Sequence, residues 1–136
     1  MATWNKFQDF VEQSWLEEHQ MNTDTIRAML SNVAPAATNT VKTDITEIAA
    51  GNGYTAGGED ATNAMTETAG TATVTATDIT WTASGGAIAQ FRYVVFYNDT
   101  NASDRLIGWY DHGAAVDLAD GESFTVDFGA SWLTLA

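Results

Sequence analysis

The chain has 136 residues, a usual length for one domain, and it has no cysteine, which excludes a disulfide framework and a thiolate zinc site. Its 18 acidic and five basic residues give a formal net charge of -13. Neutralising phosphates requires clustered Lys and Arg, whereas the five cations are scattered, so we expect no nucleic-acid partner. No apolar run approaches the roughly 20 residues of a membrane span, and the N-terminus lacks a signal-peptide pattern, so we expect no membrane partner.

The first predicted element is an N-terminal helix over about residues 4–20. Trp4, Phe7, Val11 and Trp15 recur at steps of three and four residues, with charged residues between them, which is the spacing of an amphipathic helix. An Asn-Thr-Asp sequence at 22–24 interrupts this spacing. Residues 25–30 then read as a strand that ends before the single proline, Pro35.

From Thr38 onward the sequence is β-rich, because Thr and Val dominate and both favour extended backbone. Residues 44–48 read as a short strand or strand-like turn, residues 51–58 as a glycine-dense loop with several positive φ angles, and residues 84–86 as a turn. Further strands are predicted over residues 71–76, 79–82, 91–97, 106–110 and 132–135. The strand at 91–97 is apolar on both faces apart from Arg92, which predicts a central position buried on two sides.

Asp120-Gly121 lies between two alternating apolar segments, 116–118 and 124–128, and predicts a β-hairpin. Short, regularly spaced strands after one helix predict a mainly β fold. We expect a single domain over residues 1–136, built as an antiparallel β-sandwich or small barrel with one N-terminal helix.

Motifs for catalysis are weak throughout the chain. The glycine-rich loop at 51–58 lacks the Lys-Ser/Thr of a phosphate-binding loop and is followed by no amphipathic helix. His112 follows Asp111, but neighbouring residues of a strand point to opposite faces, and His19 has no nucleophile context. Paired carboxylates such as Glu17-Glu18 are unspecific in so acidic a chain. We therefore expect a protein that is not an enzyme and that uses no cofactor.

Two ligand-binding interpretations compete with plain structural ones. Residues 98–104 place oxygen-bearing side chains at alternate positions, as calcium loops do, but lack the glycine and the acidic residue of that motif, so a connecting loop is preferred and no metal site is assigned. The five tryptophans could form a sugar-stacking platform, although core or subunit-interface positions explain them better.

Six short segments occur in a fixed order over nearly the whole chain. They are residues 5–7, 23–26, 52–58, 78–82, 92–97 and 106–109. In this order they resemble a family of small structural proteins of tailed bacteriophages. The chain departs from that pattern at residues 14–20, which are more acidic and less apolar than is usual in the family.

The resemblance implies a virion component made in the host cytoplasm. We expect a capsid decoration or cement protein on the capsid exterior, with the major capsid protein and further copies of itself, as a trimer, as its partners. A tail tube, adaptor or fibre-base subunit and a carbohydrate-recognition module displayed on the particle remain open alternatives. The candidate interface residues are Trp4, Phe7, Phe10 and Trp15, which we expect to anchor or trimerise the protein.

Overall fold

The computed structural model describes residues 2–136, which form antiparallel sheets and one short α-helix. In chain order the elements are β1 (Thr3–Lys6), α1 (Asp9–Trp15), β2 (Ile26–Ser31), β3 (Glu59–Asp60), β4 (Ala64–Thr68), β5 (Thr71–Thr75), β6 (Ile79–Thr82), β7 (Ile88–Asn98), β8 (Leu106–Leu118), β9 (Ser123–Val126) and β10 (Leu133–Leu135). A single 3-10 turn covers Lys42–Asp44.

The main sheet has five strands in the order β1-β8-β7-β2-β3. Its central strand β7 is buried on both faces, as its sequence predicts. Val94 and Phe96 point into one apolar cluster, whereas Val95 and Tyr97 point into a second cluster on the opposite face. Alternation along one strand therefore supplies two cores, because successive side chains project to opposite sides of a sheet.

Two smaller sheets contribute to the first cluster: β10-β5-β4 and β6-β9. Val74 of β5, Trp81 of β6 and Val126 of β9 all pack in the same cluster as Phe96 of the main sheet. The predicted fold class is confirmed: the protein is mainly β, with antiparallel sheets in a sandwich-like arrangement and one N-terminal helix.

The opposite face of the main sheet is covered by Phe7 and by the segment between β2 and β3. Phe7 is fully buried against Trp109, with the ring centroids 4.5 Å apart, and Ala37 and Ile45 pack beside this cluster. The strand or turn predicted at 44–48 is a 3-10 turn followed by an isolated β-bridge between Glu47 and Ser31.

The helix predicted over residues 4–20 is wrong at both ends. Thr3–Lys6 is the edge strand β1, with Trp4 opposite Tyr110 of β8, and the helix covers only Asp9–Trp15. Pairing with β8 satisfies the backbone of β1 and packs Trp4 against the first cluster, which outweighs local helical spacing. The helix ends at Trp15, with Leu16 as its C-cap, because Glu17 adopts a positive φ of 62°.

The hairpin predicted around Asp120-Gly121 is also wrong, although the turn itself forms with Gly121 at φ 89°. Strand β9 pairs with β6 instead of β8, and Leu118 at the end of β8 lies opposite Ile88 of β7. Hydroxyl hydrogen bonds support the β6-β9 pair on its exposed side: Thr80 with Thr125 at 2.8 Å and Thr82 with Ser123 at 2.7 Å.

The glycine-dense loop at 51–58 is confirmed as a connection with positive φ angles, including those of Gly53, Gly57 and Gly58. It is fixed by hydrogen bonds to the main sheet. Tyr97 donates its hydroxyl hydrogen to the Gly57 carbonyl at 2.6 Å, and Arg27 donates from Nη2 to the Gly58 carbonyl at 2.5 Å. The loop is therefore held rigidly against β2 and β7.

Candidate binding groove

An open groove of about 570 Å³ lies between helix α1 and the β5-β10 part of the small sheet. One wall is formed by α1 and the other by the two strands, with Trp4 of β1 between them. The lining residues are mostly apolar; the principal ones are Trp4, Phe10, Val11, Trp15, Val74, Leu133 and Leu135. Apolar surfaces that face each other across a gap are typical of a site for apolar groups of a ligand or partner.

The strand wall follows from alternation in β5 and β10. Ala72 and Val74 are two residues apart and therefore share one face of β5. They lie directly opposite Leu135 and Leu133 of β10 in the antiparallel register. Four apolar side chains are thus placed on one face of the paired strands.

The helix wall exposes apolar side chains that its sequence pattern assigned to a buried stripe. Trp15 is 86% exposed and Val11 is 45% exposed, and Leu135 across the groove is 75% exposed. The helix is only seven residues long and is joined by an ion pair between Asp9 and Arg105, the residue before β8, with Nη1 and Oδ2 2.9 Å apart. This pair is partly buried and orients the first turn of the helix.

The candidate interface residues divide into two groups. Trp4, Phe10 and Trp15 all line the groove, so the fold brings three of the four together. Phe7 is fully buried on the opposite face of the main sheet and offers no surface to a partner.

The residues of the strand wall were missed by sequence reasoning. The alternation of residues 71–76 and the Leu-Thr-Leu segment at 133–135 indicated strands, but only their pairing creates the wall.

A shallower section continues the groove past the end of α1, toward Met65 of β4 and Glu17. Ser14, His19 and Met21 line both sections, which makes the surface continuous. Glu67 is two residues beyond Met65 and lies on the same face of β4. Charge along the groove is uneven, with Lys6 lining the first section and Glu17 lining the second.

His19 is buried at the junction of the two sections. Its Nδ1 lies 3.2 Å from Nδ2 of Asn98, which is itself fully buried and lies 2.6 Å from Oδ2 of Asp24. Because an amide NH2 group only donates, Nδ1 of His19 accepts and the proton of the neutral ring is on Nε2. Nε2 has no hydrogen-bond partner in the protein, and the ring packs against Phe10, with centroids 5.1 Å apart.

Burial lowers the pKa of His19 below its ordinary value of 6.5. Asp24 opposes this shift, as do Asp9 and Glu18, whereas the nearby Arg105 adds to it. The unfolded chain therefore binds a proton more readily than the folded one, so the neutral ring stabilises the fold above pH 6.5.

We expect the free energy of unfolding to decrease as the pH falls from 7 through 6.5 toward 5, because His19 must charge in a buried site. Urea denaturation at several pH values measures this. His19→Gln keeps an acceptor for Asn98 but does not titrate, so the decrease should be smaller in that variant. An equal decrease in both proteins would assign the pH dependence to other groups.

The His112-Asp111 pair is not arranged for acid–base catalysis. Arg92 binds the Asp111 carboxylate at both oxygens, with Nε–Oδ1 at 2.8 Å and Nη2–Oδ2 at 3.1 Å. This bidentate bond lowers the pKa of Asp111. The ring of His112 packs against Phe124 with its centroid 5.4 Å away. Asp111 thus serves a cross-strand ion pair between β7 and β8.

The loop at 98–104 uses its side-chain oxygens to order its own backbone. Oδ1 of Asn98 accepts hydrogen bonds from the Thr100 and Asn101 amides, and Oδ1 of Asn101 accepts one from the Ser103 amide. Within residues 2–136, no group of three or more His, Cys, Asp or Glu side chains is placed to hold a metal ion.

The tryptophans do not form a platform of several exposed rings. Trp81 is 1% exposed and Trp109 is 9% exposed, whereas Trp4 and Trp132 are half-buried with their ring centroids 5.7 Å apart. Trp15 is the one tryptophan that presents most of its ring to solvent.

Comparison of the chain with protein-family models, with curated proteins and with solved structures gives no match. No helix in residues 2–136 has the length and apolar character needed to cross a membrane.

Proposed function

We propose that this protein is a non-enzymatic structural subunit of a tailed-phage virion, and specifically a capsid decoration or cement protein. The observation that carries the proposal is the exposed apolar groove, lined by the largely exposed Trp15 of α1 and Leu135 of β10. Such a surface supports function by binding, because exposed apolar surface gains free energy when a partner covers it.

The charge distribution supports a role on the outside of an assembly. Acidic residues occur from Asp9 to Asp127 along the chain, and the net charge of -13 keeps the free subunit soluble at high concentration. Many copies on one shell would each need only moderate affinity, since a trimer that contacts several capsid subunits gains by multivalency. The resemblance to small phage structural proteins supports the same role.

Labelling of the protein on intact phage particles, located by electron microscopy, tests this proposal. We expect label over the capsid shell, at positions consistent with capsomer seams. Label confined to the tail would replace decoration by a tail-tube, adaptor or fibre-base role. Particles that carry no label, from cells in which the protein is made, would overturn a virion role altogether.

A further inference from the structure

We infer that the groove between α1 and the β5-β10 strands binds an apolar protein segment that carries lysine or arginine, supplied by a partner of different sequence. This inference deepens the proposed function, on which it rests for the groove as the binding surface, by naming the chemistry of the bound segment. The apolar part of the segment contacts Trp15, Val11 and Leu135. Its basic residues lie beside Glu17, which lines the second section, with Glu67 further along the same face of β4 as Met65.

The apolar character of the bound segment is inferred from the unfilled space between the two walls of the groove. Val11 and Trp15 are four residues apart, which places them on one face of α1, and both line the groove opposite Leu133 and Leu135. Trp15 and Leu135 remain more than two-thirds exposed, so most of their apolar surface is available to a bound segment. Burying a large side chain of this kind contributes about 1.5–3 kcal/mol.

The assignment of lysine or arginine to the bound segment follows from the shortage of cations within the protein. Of the 18 carboxylates, only Asp9 and Asp111 form ion pairs among residues 2–136, which leaves 16 without one. Three of the five cations are engaged within the protein, whereas Lys6 lines the first section of the groove, so the basic residues of the segment are assigned to the second section beside Glu17. Arg92 and Arg105 hold the two ion pairs, and Arg27 donates to backbone carbonyl groups of the glycine loop.

A second copy of the chain fits this surface less well than a basic partner does. A second copy has only five basic residues, of which Arg92 and Arg105 are held in ion pairs, so it offers little opposite charge to Glu17 at this groove. A segment with lysine or arginine instead places opposite charge beside Glu17, which lines the second section just past the end of α1. Charge complementarity of this kind raises the association rate and selects the partner.

Two matched peptides test the inference: an amidated, acetylated eight-residue peptide alternating Leu and Lys, and the same peptide with Glu in place of Lys. We expect the lysine peptide to bind the full chain and to change Trp15 fluorescence, and the glutamate peptide to bind at least about tenfold more weakly. Binding is measured by fluorescence anisotropy of labelled peptide at 0.15 M salt.

Variants of the protein separate groove binding from general attraction to an acidic surface. Trp15→Ala and Glu17→Lys should each weaken the lysine peptide about tenfold or more. Val33→Ala is the apolar control, since Val33 is 55% exposed outside the groove. Glu59→Lys is the charge control, since it changes net charge as Glu17→Lys does but lies in β3, at the opposite edge of the main sheet from β1. Both controls should bind as the unaltered protein does.

Equal weakening by Glu17→Lys and Glu59→Lys, or binding unaffected by Trp15→Ala, would overturn the inference. So would a free protein that sediments as an oligomer and dissociates on Trp15→Ala, because a second copy would then occupy the groove. If the label lies on the capsid but the lysine peptide does not bind, the proposed chemistry of the bound segment is rejected and the virion role is retained. Peptide binding without label on particles would reject only the virion role.

Discussion

Gly58→Ala is expected to lower the free energy of unfolding by about 3–5 kcal/mol, a large part of the stability of an ordinary domain. A Cβ atom at this position would lie 1.7 Å from the Ala28 carbonyl oxygen and 2.8 Å from Cα of Met29. Both atoms belong to the backbone of β2, next to the central strand, and cannot move without disturbing the main sheet. The positive φ of 75° adds the cost of left-handed backbone, about 1 kcal/mol.

Gly70→Ala is the matched control for this prediction. Gly70 has a similar φ of 85°, in the tight turn between β4 and β5, but a Cβ atom there would meet nothing within 4 Å. Its cost should therefore be limited to the backbone conformation, about 1 kcal/mol. Chemical denaturation of both variants measures the difference. A Gly58→Ala variant as stable as Gly70→Ala would contradict the close contact between the glycine loop and β2.

Phe96→Ala is expected to cost about 3–5 kcal/mol, the usual range for truncating a buried phenylalanine. Phe96 is fully buried at the centre of an aromatic cluster. Its ring centroid lies 4.9 Å from that of Trp132 and 5.7 Å from those of Trp4, Tyr110 and Phe128. The truncation therefore removes a contact shared by β1, β8 and the segment that leads to β10.

Denaturation monitored by tryptophan fluorescence measures this effect, because Trp4 and Trp132 both contact the deleted ring. Phe96→Leu provides a graded variant that should lose less stability and remain folded if the alanine variant does not. Trp15→Ala removes an even larger side chain, but from an 86% exposed position, and should change stability by at most about 0.5 kcal/mol. Equal losses for Phe96→Ala and Trp15→Ala would contradict the assigned core.

The core strand was predictable because its signal is local. In β7, residues 93–97 are consecutively apolar, and only a position covered on both faces can bury them all. The same holds for the glycine loop, in which the density of glycine indicates positive φ whatever the loop packs against. These features depend on side-chain chemistry and backbone sterics within a few residues, and the fold class follows from them.

Strand partners and the N-terminal segment depended on residues distant in sequence. Trp4 has helical spacing relative to Phe7, yet pairing with β8 makes its segment a strand and separates it from the helix. The Asp120-Gly121 turn formed as its sequence predicts, but β9 found its partner in β6, about 40 residues earlier in the chain. A turn motif specifies a local reversal of the chain, whereas the partner of each strand is decided by which pairing buries more surface.

The candidate groove shows the same division. Composition by itself determined an acidic, β-rich chain without thiol chemistry, and the N-terminal sequence offered Trp4, Phe7, Phe10 and Trp15 as candidate interface residues. Only the tertiary structure shows that Leu133 and Leu135 line the same groove as Trp15. It also shows that Phe7 is buried on the other face of the main sheet. The two walls of this groove come from distant parts of the chain. They are brought together by the packing of the whole core, which no local sequence pattern encodes.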